Sequence, residues 1–237
     1  MTAPMKQIAL DLALAPRPAL SGYYPGEDAA NAAALQHLRL WAESATRSPV
    51  PIYLWGGAGC GKTYLLHAAW AALQEQGARV GWLDADSAAR TPFDERWDAV
   101  LFDDVERYGP EHQRTAFNWF VNAVSPADGR ARGVLAAGRL PPADLPLRED
   151  LRTRLGWGHV FELHPLSDAQ CRAVLIQAAR ARGLALPDEV LDFVLARFAR
   201  DLGSLMQLLE ALDRYALQTQ RAITIPLIKS MLEDDAV

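Results

Sequence analysis

GGAGCGKT, at residues 56–63, decides the fold of this chain. It matches the pattern G-x-x-x-x-G-K-[ST], and it stands between the apolar run PIYLW (51–55) and a segment with helical periodicity. Glycines in that context let the backbone fold around phosphate groups with its N–H groups pointing inward. The motif therefore predicts a nucleotide-binding phosphate loop, whereas the alternative is a glycine-rich turn that binds nothing.

The expected nucleotide ligands are the residues of this loop and the one that follows it: Gly56, Gly57, Ala58, Gly59, Cys60, Gly61, Lys62, Thr63 and Tyr64. Lys62 reaches the β- and γ-phosphates in such loops, and the hydroxyl of Thr63 is a Mg²⁺ ligand. Cys60 is expected to fill space rather than to act as a nucleophile. The expected cofactors are therefore ADP or ATP together with Mg²⁺.

Two acidic residues follow the apolar run AVLF (99–102). We expect Asp103 to hold Mg²⁺ through water and Asp104 to polarise an attacking water. Acidic pairs after a strand are also common as solvated strand ends. Their place downstream of a phosphate loop favours the catalytic interpretation.

Five short apolar runs alternate with helical segments up to Pro165, and only helical patterns follow. This order predicts an α/β fold with a parallel five-stranded sheet and a small all-α unit. We expect an N-terminal tail at residues 1–20, an α/β nucleotide-binding core at 21–165 and a helical lid at 166–237. Gln170, three residues after Ser167, predicts a capping box at the first lid helix.

The amino-acid composition excludes several kinds of protein and makes others less favoured. The 237 residues are 50% hydrophobic and 22% charged, with a net charge of −5, which excludes a disordered chain and disfavours sequence-specific DNA binding. The two cysteines cannot build a disulfide framework. No apolar run has the roughly 20 residues of a membrane helix, so we expect a cytoplasmic protein without membrane contact.

These motifs resemble those of AAA+ ATPases of the DnaA clade, the bacterial replication initiators. The resemblance runs from about Leu20 to the C-terminus, and its elements are YYPGEDAAN (23–31), the phosphate loop, the Asp-Asp strand end, AFNWFVNAV (116–124) and LRTRLGWGHVFELHPLSD (151–168). It implies the AAA+ fold with a helical lid. The head-to-tail assembly of AAA+ subunits also makes a homo-oligomer conceivable.

The segment at 151–168 corresponds to the one that carries the arginine finger in initiators, and the finger falls on Arg154. The resemblance implies that Arg154 acts in trans on ATP held by a neighbouring subunit. The alternative is a surface salt bridge of Arg154 with Glu149 or Asp150. If Arg154 is not the finger, Arg152 and Arg148 are the next candidates.

The layout is most similar to the Hda group of DnaA-homologous regulators, because we expect the helical lid to be the last unit, without the C-terminal DNA-binding domain of the initiators. In that group a short N-terminal peptide docks on the sliding clamp of DNA polymerase III. The pattern Q-[LI]-x-L-x-[LF] is matched here by Gln7, Ile8, Leu10 and Leu12. The implied partners are this clamp and the initiator DnaA, and the alternative is an apolar tail that packs on its own domain.

Two departures from the family concern hydrolysis by the chain itself. Ala136, Ala137 and Gly138 stand where relatives place Thr, Ser or Asn, and Gly203 stands where they place an arginine against the γ-phosphate. A missing preorganised donor typically costs about 10²–10³ in rate. The resemblance therefore implies weak or no intrinsic ATPase activity.

Three functions are compatible with these residues. The first is regulatory inactivation of the initiator: the chain docks on the clamp and promotes hydrolysis of initiator-bound ATP, which inhibits DNA replication. The second is a helicase-loader-like or other DNA-remodelling ATPase, which the bare sensor positions disfavour. The third is a non-catalytic, nucleotide-gated adaptor, which only a two-component hydrolysis assay separates from the first.

Overall fold

The computed structural model of this chain describes residues 18–44, 48–197 and 202–234. Two compact units are present, one of residues 18–165 and one that begins at Leu166. The first is an α/β unit built on a parallel sheet, and the second is helical in its described part. The predicted fold class is confirmed.

Each of the five apolar runs forms a strand of one parallel sheet: β1 (Ile52–Trp55), β2 (Val80–Leu83), β3 (Ala99–Phe102), β4 (Gly133–Gly138) and β5 (His159–Glu162). The strand order across the sheet is β2-β3-β4-β1-β5. Tyr53 at the centre of β1 pairs with Ala136 on one side and with Val160 on the other. The strand that precedes the phosphate loop is therefore an interior strand.

Helices cover both faces of the sheet in this unit: α1 (Ala29–Glu43), α2 (Lys62–Glu75), α3 (Pro110–Val124) and α4 (Glu149–Leu155). Successive strand residues alternate between two buried clusters, as the twofold period of a strand requires. Ile52 and Leu54 join the cluster that contains residues of α1 and α2. Tyr53 joins the cluster that contains residues of α3 and α4. Burial on both faces explains why the strands are apolar runs without polar alternation.

The parallel arrangement brings three strand ends to one edge of the sheet. The phosphate loop follows β1, Asp103 follows β3, and Gly138 ends β4. The amide of Gly56 donates a hydrogen bond to the carbonyl of Gly138 over 3.3 Å, so the loop starts in contact with the end of the neighbouring strand. The carboxyl edge of such a sheet is where ligands bind in open α/β folds.

The unit after Pro165 contains α5 (Asp168–Ala181), α6 (Asp188–Arg197), α7 (Leu202–Thr219) and α8 (Ile225–Asp234). The predicted capping box is present, because Ser167 accepts from the amide of Gln170 and the side chain of Gln170 accepts from the amide of Ser167. Leucine, valine and isoleucine side chains of all four helices form one buried cluster. Gly203 lies in the first turn of α7.

Arg132, in the loop that precedes β4, is buried, although arginine side chains usually lie at the surface. Only 1% of its surface is exposed. Its guanidinium donates to the carbonyls of Trp97 and Arg130, over 2.9 Å each, and pairs with Asp128 over 2.7 Å. A buried guanidinium is tolerated only when its donors are satisfied, and here carbonyls and one carboxylate satisfy them.

Candidate functional site

The phosphate loop ends in a backbone conformation that only glycine adopts without strain. Gly61 has φ = +90° and is the N-cap of α2, whose first residue is Lys62. A helix start leaves backbone N–H groups without partners within the helix, and they carry partial positive charge. The sequence thus places unpaired donors beside the ammonium group of Lys62, an arrangement suited to an anion.

Lys62 is 7% exposed, and its ammonium group bonds back onto the loop. The Nζ atom donates to the carbonyls of Gly56 and Gly57, over 2.8 and 2.9 Å. It also lies 3.6 Å from Sγ of Cys60. A nucleotide phosphate would offer this ammonium a charged partner in place of neutral carbonyls, and such hydrogen bonds are about twice as strong.

The side chain of Thr63, at the start of α2, lies near the carboxyl group of Asp103, at the end of β3, and its hydroxyl lowers the pKa of that group. Burial raises the pKa of Asp103 to about 6, and the nearby charge of Asp104 adds to that effect. Hard oxygen donors of this kind suit Mg²⁺, which commonly binds through one or two side chains together with phosphates and water. Within the described ranges no cluster of three His, Cys, Asp or Glu residues forms a metal cage.

Asp104 has a left-handed backbone, with φ = +48°, a conformation that aspartate tolerates better than most residues. Its carboxylate lies 3.3 Å from the guanidinium of Arg107, which also lies 3.4 Å from Asp86. The amide of Asp104 donates to the carboxylate of Asp103 over 3.0 Å. The predicted water-polarising residue is thus directly beside the predicted Mg²⁺ ligand and is held by an ion pair.

The end of β4 has no space for a larger side chain at position 138. Ala136 and Ala137 are fully buried. A Cβ atom on Gly138 would collide with the hydroxyl of Tyr53 and would come within 2.9 Å of Val105. That hydroxyl is fixed, because it donates to the carbonyl of Leu140 over 2.7 Å.

Tyr23 and Tyr64 lie around the loop, and Tyr23 is the first residue of the element YYPGEDAAN (23–31), which does not by itself predict a contact with the loop. Tyr23 is buried, and its hydroxyl donates to the carbonyl of Cys60 over 3.2 Å. The hydroxyl of Tyr64 donates to the carbonyl of Ala19 over 3.1 Å. Because the contact between Tyr64 and Ala19 joins residues 45 positions apart, no local spacing in the sequence predicts it.

Arg154 is exposed in the last turn of α4, and its guanidinium lies over the ring of Phe117, 5.3 Å from the ring centroid. Among the residues that the structure describes, no carboxylate pairs with it. Asp150 pairs instead with Arg148 over 2.7 Å, so the expected alternative, a salt bridge of Arg154 with a neighbouring acid, is not formed. The guanidinium of Arg148 also lies over Phe117, at 5.1 Å.

Arg148 and Arg154 line an open cavity of about 970 Å³, together with residues that include Val124, Glu149 and Trp157. The indole of Trp157 is 63% exposed. Exposed tryptophan and arginine beside a cavity are the residue types that dominate the binding energy of protein interfaces. We refer to this place as the arginine cavity. No residue of the phosphate loop lines it.

The structure therefore brings the predicted residues together in two groups. The loop, Thr63, Asp103 and Asp104 meet at the carboxyl edge of the sheet, whereas Arg154 lies at the arginine cavity. The predicted clamp-binding residues, Gln7, Ile8, Leu10 and Leu12, lie outside the described residues. No described helix is long and apolar enough to cross a membrane.

Two family models match the chain, one in each unit. A model described as the bacterial DnaA ATPase domain matches residues 23–95, which include the phosphate loop. A model described as the Hda lid domain matches residues 168–232. The two matches lie on either side of the boundary at Pro165.

Solved structures of low sequence identity share the fold. Domain III of the Thermotoga maritima replication initiation protein DnaA superposes with a TM-score of 0.68 at 22% identity, covering 92% of this chain and 97% of that one. AMPPCP-bound DnaA from Aquifex aeolicus gives 0.64 at 22% identity, covering 81% and 64%. The Holliday junction branch migration motor RuvB of Thermotoga maritima gives 0.57 at 15% identity, covering 85% and 68%. At these identities the likeness shows the fold alone.

Proposed function

We propose that this chain, which is a DnaA-like AAA+ protein of the Hda type, binds ADP or ATP with Mg²⁺ and inactivates a replication initiator. In this proposal it docks on the DNA polymerase III sliding clamp and promotes, through Arg154, hydrolysis of ATP held by DnaA. The observation that carries the proposal is Arg154 itself. Its guanidinium is exposed over Phe117, beside an open cavity, with no carboxylate partner among the described residues.

Nucleotide binding is supported by the geometry of the loop. Lys62, the start of α2 and the Thr63–Asp103 pair offer an ammonium group, unpaired amides and oxygen ligands at one edge of the sheet. Two of the DnaA structures that share the fold are described as bound to AMPPCP, an ATP analogue. The phosphates of the nucleotide would lie on the loop, where Thr63, directly, and Asp103, through water, would hold Mg²⁺.

We expect the apparent affinity for Mg²⁺ in the presence of ADP to fall as the pH is lowered through about 6. The carboxylate of Asp103 is the metal-binding form, and its pKa of about 6 means that protons compete with the metal below that pH. From pH 7.5 to pH 5 the affinity should drop about tenfold. Titrating Mg²⁺ against a fluorescent ADP analogue at several pH values measures this.

Asp103→Asn is the control, because it removes the titrating carboxyl group of the protein and leaves the phosphates of ADP to titrate as before. The variant should bind Mg²⁺ weakly at every pH and should show a flatter profile. An unchanged profile in Asp103→Asn would show that Asp103 is not the group that competes with the metal.

The chain's own hydrolysis should be slow. The end of β4 offers no donor to an attacking water, because Gly138 has no side chain and the hydroxyl of Tyr53 is already donated to Leu140. Asp104 remains as the water-polarising residue, in an ion pair with Arg107. We therefore propose that this site mainly holds nucleotide, and that the accelerated reaction takes place on the partner's ATP.

A two-component assay tests the proposal as a whole. Hydrolysis of radiolabelled ATP bound to DnaA is followed with this protein, with the clamp loaded on DNA, and with both. Strong acceleration only with both supports clamp-dependent inactivation. Binding without acceleration identifies a nucleotide-gated adaptor, and fast DNA-stimulated hydrolysis by this chain alone identifies a DNA-remodelling ATPase.

The docking step makes a separate prediction. A peptide of residues 5–14 should compete with the full chain for the clamp, and Gln7→Ala should weaken binding of the full chain. One short peptide buries little surface, so its affinity should be about micromolar, and a ring with several sites should raise the effective affinity. Surface plasmon resonance on immobilised clamp measures both.

Asp11→Ala provides the matched control, because Asp11 occupies an unspecified position of the pattern Q-[LI]-x-L-x-[LF]. This variant should bind the clamp like the unmodified chain. If a chain that lacks residues 1–15 binds equally well, the N-terminal peptide is not the docking element.

A further inference from the structure

We propose that Tyr23 is a positioning residue of the phosphate loop, through which residues 19–23 control the order of the loop and its affinity for nucleotide. We refer to residues 19–23 as the strap. The inference rests on the proposed nucleotide binding and adds to it a residue outside the motif. The strap precedes the phosphate-loop motif in the chain, and its last residue, Tyr23, opens the element YYPGEDAAN (23–31). That element does not itself assign Tyr23 a contact with the loop.

Tyr23 contacts the loop through both its ring and its hydroxyl. The hydroxyl donates to the carbonyl of Cys60 over 3.2 Å. The ring packs on Gly61 so closely that a Cβ atom there would lie 2.7 Å from Cε2 of the tyrosine. With 9% of its surface exposed, Tyr23 belongs to the same buried cluster as Cys60 and Leu65. One side chain thus fixes two consecutive residues at the point where the loop becomes a helix.

The strap is itself fastened to the body of the unit, so Tyr23 has a rigid support. Leu20 is buried, and its carbonyl accepts from the guanidinium of Arg39 over 3.2 Å. The carbonyl of Ala19 accepts a hydrogen bond from the hydroxyl of Tyr64, and the amide nitrogen of Ala19 lies 3.4 Å from the oxygen of that hydroxyl. Because Tyr64 belongs to α2, the helix that begins at the loop is tied to the start of the strap.

The contact acts where the loop is least supported by its own bonds. Lys62 and the thiol of Cys60 bond to carbonyls at the beginning of the loop, those of Gly56 and Gly57. Gly61 takes a left-handed backbone conformation and has no side chain that could bond to the loop. No side chain caps the start of α2. The Tyr23 hydroxyl fixes the peptide plane between Cys60 and Gly61, and that plane orients the Gly61 N–H group toward or away from a phosphate.

Tyr23→Phe tests the inference, since it removes the hydroxyl and keeps the ring on Gly61. Tyr24→Phe is the matched control, because Tyr24 is the next residue, is half-buried and makes no hydrogen bond among the described residues. Two measurements are made on the full chain: ADP affinity by calorimetry, and amide hydrogen exchange of residues 56–63 without nucleotide. Thermal unfolding of each variant reports general destabilisation.

We expect Tyr23→Phe to weaken ADP binding about threefold to tenfold, as for loss of one hydrogen bond, and to speed amide exchange in the loop selectively. Tyr24→Phe should change neither. Unchanged loop exchange in Tyr23→Phe would overturn the inference, whatever happens to the melting temperature. The exchange measurement needs no nucleotide, so if the unmodified chain failed to bind ADP, the proposed function would fail while the positioning role of Tyr23 would still be decided.

Discussion

Arg154→Ala should still fold, bind nucleotide and bind the clamp, but it should stimulate ATP hydrolysis by DnaA about 10³-fold to 10⁵-fold less than the unmodified protein does. The loss cannot exceed the stimulation that the unmodified protein gives. The arginine is exposed and makes no ion pair with a described residue, so its removal costs the fold little. Its planar guanidinium would stabilise charge that develops on the partner's γ-phosphate, which a methyl group cannot do. Single-turnover hydrolysis of DnaA-bound ATP with clamp-loaded DNA measures the effect.

Two further variants separate the arginine finger from general positive charge at the arginine cavity. Arg154→Lys keeps the charge but loses the fork of donors, and it should recover only a small part of the rate. Arg148→Ala removes the neighbouring guanidinium, which is paired with Asp150, and should have a much smaller effect. If Arg154→Ala accelerates hydrolysis normally, Arg154 is not the finger, and Arg152 and Arg148 become the candidates.

Lys62→Ala should lower the affinity for ADP about 10²-fold to 10⁴-fold. Hydrogen bonds to charged groups are worth about 1.5–3 kcal/mol each, and the ammonium of Lys62 can offer two of them to phosphate oxygens. In the structure the same ammonium group donates hydrogen bonds to the carbonyls of Gly56 and Gly57, so it is already held at the loop before nucleotide binds. Calorimetry with ADP and Mg²⁺ measures the loss.

Lys229 supplies the matched control, because it is an exposed lysine of α8, in the other unit. Lys229→Ala should bind ADP like the unmodified chain. Lys62→Met keeps more of the buried aliphatic volume and should bind as weakly as Lys62→Ala, which separates loss of charge from loss of packing. Equal affinity in Lys62→Ala and the unmodified chain would show that nucleotide does not bind at this loop.

The part of the fold that depends on local pattern could be predicted from the sequence. Strands buried on both faces are apolar runs, and each of the five predicted runs forms a strand of the sheet. The capping box at Ser167 was equally local, because its partner lies three residues away. The order of the strands was not predicted from hydropathy, since it depends on pairing between distant segments.

Long-range contacts explain what the sequence missed in the site. Tyr23 meets Cys60 across 37 positions, and Arg154 meets Phe117 across a similar interval, so no spacing rule reveals either pair. Residue type alone would place Arg132 at the surface, because arginine is rarely buried. It lies inside because carbonyls of a distant loop, such as that of Trp97, happen to face its donors. Local motifs in the sequence single out the candidate chemistry-bearing residues, but they do not predict the distant neighbours that contact them.

The filled space at the end of β4 has a consequence for protein engineering. A serine or asparagine introduced at position 138 would meet the Tyr53 hydroxyl, so this substitution alone would damage packing. Tyr53 is fully buried on an interior strand of the sheet, and truncating it to alanine would open a void. Tyr53→Phe removes only the hydroxyl. A polar donor at the end of β4 is therefore expected to need two substitutions made together, one at position 138 and one at Tyr53.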